Sequence, residues 1–380
     1  MRKAREEGRE AIKGARRIVV KVGSAVLAGR HEDELDEGVF SALASDIVAL
    51  KGSGKEVVLV TSGAIAVGMK KMGLKRRPGS IPEKQAVAAV GQSSLMAIYE
   101  GAFTPLGVRA AQVLLTHGDL ADRKRFLNAR NTLVTLFQYG VIPIINENDT
   151  VAVEEIKFGE NDHLAALVTS LAEADLLIML TDIDGLYDAD PRISKTARLI
   201  PVVDDVDHVV LGWAGKASGV YGTGGMQSKI EAARKAAHIG VPTVVAGGKR
   251  RGVIERILSG TVEGTLFLPK EDRLTSKKHW IAFSARPGGR IFVDEGAMTA
   301  LLKGGKSLLP SGITGVDGRF DTGEVVHCVD HRGKEFARGI TTYNSSEIEK
   351  IRGVRSTEIE KVLGYRYYDE VIHRDNLVIL

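Results

Sequence analysis

The chain has 380 residues, 44% of them hydrophobic, with 52 Lys/Arg against 48 Asp/Glu and a single cysteine. That is enough apolar material for a substantial core and for two domains, and it rules out a small disulfide-stapled scaffold. A net charge of +4 is too small at this length to point to nucleic acid. No run of 18 apolar residues could form a membrane-spanning helix, and Cys328 has no intramolecular partner, so a reducing, cytoplasmic location is expected.

Residues 1–16 form a basic N-terminal extension. Up to Arg17 the segment holds seven Lys/Arg and three Glu, and it lacks the apolar region of a secretory signal. It reads as a solvated tail or a short helix. From Ile18 to about Gly260, short β-rich runs alternate with helical patterns, which predicts an α/β fold with a mainly parallel sheet sandwiched by helices. The strands RIVVKVG, EVVLVTSG, VIPIINEND, DLLIMLTDIDG and VPTVVAGG are near-continuous apolar runs, as expected where both faces are covered. Chemistry in such sheets collects at the turns beyond the carboxyl ends of the strands.

Three of those turns are rich in glycine. Lys21-Val22-Gly23-Ser24 and Thr61-Ser62-Gly63 each end a strand, and turns of this type expose backbone N–H groups that bind anions, although glycine also serves turn geometry alone. The third, Tyr221 to Lys229, is a glycine-rich loop leading into a helix with a lysine in its opening turns, which suits a nucleotide phosphate chain. It is neither G-x-x-x-x-G-K-[ST] nor G-x-G-x-x-G, which argues against the P-loop and dinucleotide classes. Between these turns, INENDTVAVEEIKFGENDHL carries two Asn-Asp pairs, Asn148-Asp149 and Asn161-Asp162. Either pair could be a simple turn, and Asn161 or Asp162 could cap the helix that follows. After Thr261 the composition changes. A polar stretch, residues 266–278, reads as a linker, and residues 279–380 read as a separate, mostly-β module with glycine turns and one helix, following a first domain over 17–265. His327, Cys328 and His331 fit no zinc spacing and read as part of a hairpin.

KVGSAVL, VTSGAIAVG, INENDTVAVEEIKFGENDHL, MLTDIDGLYDADPR and GTGGMQSK, in this order, resemble the amino-acid kinase family, and VDEGAMTALLKGGKSLLPSGI resembles a PUA module. Within that family the resemblance is to the branch that phosphorylates the γ-carboxylate of L-glutamate with ATP on the way to proline. It implies Lys21, Lys229 and Asp162 as catalytic residues, with Asp162 holding the two ammonium groups. It further implies Ser62, Gly63, Asp149 and Asn161 at the amino-acid substrate, with Asp149 on the free α-ammonium. Lys21, Thr181, Asp182, Thr223, Gly224, Gly225, Met226 and Lys229 would hold the nucleotide. Glu160 stands where the pattern has Asp, and the N-terminal extension has no counterpart. Mg²⁺ is expected to be held mainly by ATP phosphates and water, without a dedicated protein ligand. Proline is implied as an inhibitor and a homo-oligomer, dimer or tetramer, as the assembly.

A carboxylate acceptor is already ionised at neutral pH, so this chemistry needs charge neutralisation rather than a general base. Two rival readings remain. One is another small-acid or phosphate kinase of the same fold, against which Asp149 speaks, because an acetylated nitrogen would leave it unpaired. The other is RNA binding through the PUA-like module, but residues 275–380 hold 16 Lys/Arg against 14 Asp/Glu and no basic aromatic cluster.

Overall fold

The computed structural model of the chain describes residues 2–29, 35–152, 160–209, 224–261, 263–269, 278 and 280–380. It divides into two compact units, one of residues 1–120 and 124–273, the other of residues 121–123 and 274–380. Among the described residues no helix is long and apolar enough to cross a membrane.

The first unit is built on an eight-stranded sheet. In chain order its strands are β1 (Arg17–Val22), β2 (Glu56–Val60), β3 (Ala110–Leu115), β4 (Ile142–Glu147), β5 (Leu176–Thr181), β6 (Val202–Val203), β7 (Thr243–Gly247) and β8 (Thr265–Phe267), arranged as β3-β4-β2-β1-β5-β7-β8-β6. All neighbours are parallel except β7 and β8. The five predicted strands are β1, β2, β4, β5 and β7, and their apolar runs are buried along nearly their whole length. β1 lies between β2 and β5, where the chain changes direction across the sheet, so a crevice opens at the carboxyl ends of β1 and β5.

Alternation along β1 sorts its side chains between two layers. Ile18, Val20 and Val22 join a core with Phe40, Leu43 and Ile47 of the helix Glu37–Gly52, Leu95 and Tyr99 of the helix Ile81–Phe103, and Ile254 and Ile257 of the helix Val253–Leu258. Lys21 points to the other face, toward the helix Glu160–Leu171.

The N-terminal extension is a helix, Arg2–Gly14, one of the two forms expected of it. Elsewhere the structure departs from the sequence reading. Strands β3, β6 and β8 were not predicted: β3 is a half-buried edge strand, and the other two hold two and three residues. Because β8 pairs with both β7 and β6, the sheet runs two residues past the expected end of the first domain at 265. Asn161 and Asp162 do not cap the following helix. That helix starts at Glu160 and both residues lie in its first turn, where a carboxylate is favoured by the helix dipole.

The second unit carries a five-stranded sheet. Its strands are β9 (Gly289–Val293), β10 (Ile313–Gly318), β11 (Val325–Val329), β12 (Glu335–Ile340) and β13 (Leu377–Ile379), in the order β10-β9-β11-β12-β13. The pairing is antiparallel except between β11 and β9. Ile291, Val326, Cys328, Tyr343 and Ile348 lie in its separate core. β11 and β12 form the hairpin expected around His327, whose Nδ1 lies 2.6 Å from Glu335 Oε1. The sequence suggested one helix here; Ser345–Ile351 and Ile359–Leu363 are helical in addition to Glu295–Gly304.

Candidate active site

Three elements converge beyond the carboxyl ends of β1 and β5. Lys21, the penultimate residue of β1, sits with its Nζ 2.6 Å from Asp162 Oδ1. Lys229, in the second turn of the helix Gly224–His238, places its Nζ 3.2 Å from Asp162 Oδ2 and donates to the Gly225 carbonyl at 2.9 Å. Ser228 Oγ donates to the same Oδ2 at 2.6 Å. All four side chains are buried, with Asp162 at 1% exposure and Lys21 at 5%. Two ammonium groups around one carboxylate leave the cluster with a net charge of about +1. Burial alone would raise the Asp162 carboxyl, but Lys21 and Lys229 together hold it below its ordinary value. Burial lowers the Lys21 ammonium, and the attraction of Asp162 offsets part of that.

On one side of this cluster lies a cleft lined by Thr181, Asp182, Asp190, Arg192, Gly225 and Lys229, among others including Met226. Thr181 Oγ1 donates to Asp182 Oδ1 at 3.0 Å, and the Asp190 carboxylate is bound by Arg192. Asp190 and Arg192 belong to the DADPR stretch. The structure therefore brings together Lys21, Asp162, Thr181, Asp182, Gly225, Met226 and Lys229. Gly224 begins the lysine-bearing helix, while Thr223 lies outside the described residues.

Of the second group of expected residues, Ser62 and Gly63 follow β2, Asp149 follows β4, and Asn161 lies in the first turn of the helix Glu160–Leu171. Gly63 takes φ 106°, a left-handed conformation that needs glycine, and directs the chain into the helix Ala64–Met72 without a side-chain cap. The first-turn N–H groups of that helix are left as donors for an anion. The Ser62 hydroxyl already donates to the Val22 carbonyl at 2.9 Å, so in this arrangement it meets a carboxylate only after turning; the expected contact falls first to the backbone of Gly63 and its successors. Asp149 is partly buried and has no hydrogen-bond or ionic partner among the described residues. Burial pushes its carboxyl up to about 6. Asn161 Oδ1 is a buried acceptor that is likewise unpartnered among the described residues.

Sequence reasoning missed Ser228, although it stands beside Lys229 in the quoted motif. Ser228 carried no periodic or spacing signal. Next to Asp162, the His163 imidazole is driven down to about 4 by burial first and then by Lys235 and His117.

The family model for the amino acid kinase family matches residues 16–247. The chain belongs to the amino acid kinase family. A PUA domain model matches residues 289–363, within the second unit. Among similar proteins, the glutamate 5-kinase of Pelobacter propionicus is 53% identical over 372 residues, spanning 98% of this chain and 100% of that protein. The glutamate 5-kinase of Syntrophotalea carbinolica is 52% identical, spanning 98% of this chain and 99% of its own. That of Caldanaerobacter subterraneus subsp. tengcongensis is 54% identical over 365 residues, spanning 96% and 98%. In this amino acid kinase the matched segment contains the whole cluster around Asp162.

Proposed function

We propose that this kinase transfers the γ-phosphoryl group of ATP to the γ-carboxylate of L-glutamate, giving γ-glutamyl phosphate and ADP, the first step of proline biosynthesis. A carboxylate oxygen attacks the γ-phosphorus, the bond to the β–γ bridging oxygen breaks, and the electron pair leaves with ADP. No proton is transferred, so the barrier is one of repulsion between anions. Lys21 and Lys229 neutralise the transferring group, and Asp162 holds both ammonium groups in place in a site already shielded from water. The nucleotide occupies the cleft bordered by Thr181, Asp182, Gly225 and Met226. By the family resemblance Thr223, outside the described residues, and Gly224, at the start of the lysine-bearing helix, would also meet its phosphates.

The observation that carries the choice of substrate is Asp149. A partly buried carboxylate without a partner among the described residues is costly unless a cation arrives, and the free α-ammonium of glutamate is such a cation. Asn161 Oδ1 offers it a second acceptor, and the backbone after Ser62 and Gly63 receives a carboxylate. N-Acetylglutamate would bring a neutral amide to Asp149 and leave its charge uncompensated.

Mg²⁺ bound to the nucleotide would supply further neutralisation of the phosphates. Among the described residues no group of three or more His, Cys, Asp or Glu side chains could hold a metal, and a magnesium ion carried by phosphates and water needs no such group. By the same reading the enzyme works in the cytoplasm as a homo-oligomer, a dimer or tetramer, and proline competes for the site around Asp149 and Asn161, since it offers an α-carboxylate and a cationic amine. RNA as a partner of the PUA module rests on the module type alone.

A substrate panel scored by ADP release tests the assignment. L-Glutamate should support turnover, while N-acetyl-L-glutamate, L-aspartate, carbamate and UMP should not. Turnover with N-acetyl-L-glutamate and none with L-glutamate would overturn it. Millimolar proline should slow the reaction at subsaturating glutamate; an unchanged rate would remove the feedback.

A further inference from the structure

One helix, Ile81–Phe103, reaches the substrate-facing turns of both β2 and β4. Gln85 Nε2 donates to the Ala152 carbonyl at 3.0 Å, just past the INEND turn. Gln92 Oε1 accepts from Asn146 Nδ2 at 2.8 Å, where Asn146 is a buried residue at the carboxyl end of β4. Tyr99 OH lies 2.7 Å from Thr61 Oγ1, immediately before Ser62 and Gly63. Residues 85, 92 and 99 recur every seven positions and so share one face of the helix over four turns.

The helix that carries them is held at fixed height. A Cβ on Gly91 would lie 1.8 Å from the Ala64 carbonyl oxygen, and one on Gly68 would lie 1.9 Å from that of Val87, so the two helices meet backbone to backbone right after the Gly63 turn. Tyr99 is further locked by an edge-on contact with Phe40, ring centroids 4.8 Å apart. Gln92 also keeps its buried Nε2 without an acceptor among the described residues. Such an open donor is a cost that a glutamine serving packing alone would not be expected to carry.

We propose that Gln85, Gln92 and Tyr99 are positioning residues that set the spacing between the Ser62-Gly63 turn and the Asp149 turn, and through it the fit of the amino-acid head. This rests on the assignment of those two turns to glutamate. None of the three belongs to the lysine cluster or the nucleotide cleft, so their effect falls on the affinity for glutamate and spares the phosphoryl step.

The test is steady-state kinetics and melting on Gln92→Met, Tyr99→Phe, Leu95→Val and Asp149→Asn in the full-length enzyme. Gln92→Met and Tyr99→Phe each remove one neutral hydrogen bond with little change of shape. They should raise KM for glutamate about 3- to 10-fold while kcat and KM for ATP stay within about 2-fold. Leu95→Val, in the core on the same helix, should lower Tm without that selective rise. A double-mutant cycle of Gln92→Met with Asn146→Ala should show effects on KM that do not add. If Asp149→Asn raises KM but Gln92→Met and Tyr99→Phe do not, the positioning role is refuted and the substrate assignment stands. If Leu95→Val raises KM for glutamate to the same extent, the effect is general loosening and the proposal fails. If Asp149→Asn itself leaves KM unchanged, the substrate assignment fails and the proposal goes with it.

Discussion

Asp149 and Asp162 are carboxylates thirteen positions apart in the sequence, and their surroundings give them opposite properties. Asp162 is held ionised by two lysines; Asp149 has no counter-charge among the described residues and titrates near 6. Substituting Asp149→Asn removes one charge-assisted contact of about 1.5–3 kcal/mol, so kcat/KM for glutamate should fall roughly 10- to 150-fold, almost entirely through KM. The same change should not destabilise the free enzyme. The folded-state pKa lies above the unfolded one, so the ionised carboxylate opposes folding in full above about pH 6, and the penalty fades as pH falls from there to the ordinary Asp value. Thermal melts should therefore place the Asp149→Asn variant at or above wild type at pH 8, with the difference gone near pH 4; a lower Tm at pH 8 would contradict this. In wild type, kcat/KM for glutamate should drop about tenfold per unit below about pH 6, as protonation removes the charge that meets the ammonium. Asp162→Asn should differ in kind, lowering kcat by about 10²-fold or more with a small change in KM, because it loosens the lysines where phosphate charge develops. Identical kinetic profiles for the two variants would undo the division between head-group binding and phosphoryl stabilisation. The Asp162 partnership was expected only through the family resemblance of the motifs that hold Lys21, Asp162 and Lys229. The Ser62 hydroxyl bond to Val22 was not, since a hydrogen bond between two strand ends leaves no mark in either segment.

At the scale of elements, legibility follows burial. Strands β1, β2, β4, β5 and β7 are covered on both sides and announce themselves as apolar runs, while β3 at the sheet edge mixes Gln112 and alanines with its apolar residues, and β8 is too short for any pattern. The helix Ile81–Phe103 has a visible start in its capping box of Ser80 and Glu83. What the sequence could not show is that Gly91 and Gly68 exist for a backbone contact with the neighbouring helix. Gly91→Ala should force the helices Ala64–Met72 and Ile81–Phe103 apart and cost about 1–3 kcal/mol or more, read as a shift in the urea midpoint. Gly101→Ala, where a Cβ meets nothing within 4 Å, should be neutral or slightly stabilising and serves as the control. Equal effects of the two would show that the close approach is not tightly packed.

At the scale of the molecule, every residue given a chemical role lies before residue 230, and the sheet that positions them closes with β8 at Phe267. A chain ending after residue 269 keeps β8 and should retain kinase activity within a fewfold; a folded but inactive truncation would place part of the site in the PUA-bearing unit. The change of character near residue 261 marked the existence of a second unit. β8 runs two residues past the expected end of the first domain at 265, since three residues that pair with β7 and β6 leave no pattern of their own. The central claim is that a buried, net-positive cluster of Lys21, Asp162 and Lys229 promotes phosphoryl transfer from ATP to the carboxylate of an amino acid whose ammonium group is recognised by Asp149. Its most direct test is ATP turnover with L-glutamate in the presence of hydroxylamine, which converts an acyl phosphate to a hydroxamate. γ-Glutamyl hydroxamate should form in step with ADP, depend on glutamate, and be abolished by Lys229→Ala while calorimetry still detects glutamate binding. ADP release without hydroxamate, or full activity after loss of Lys229, would contradict that claim.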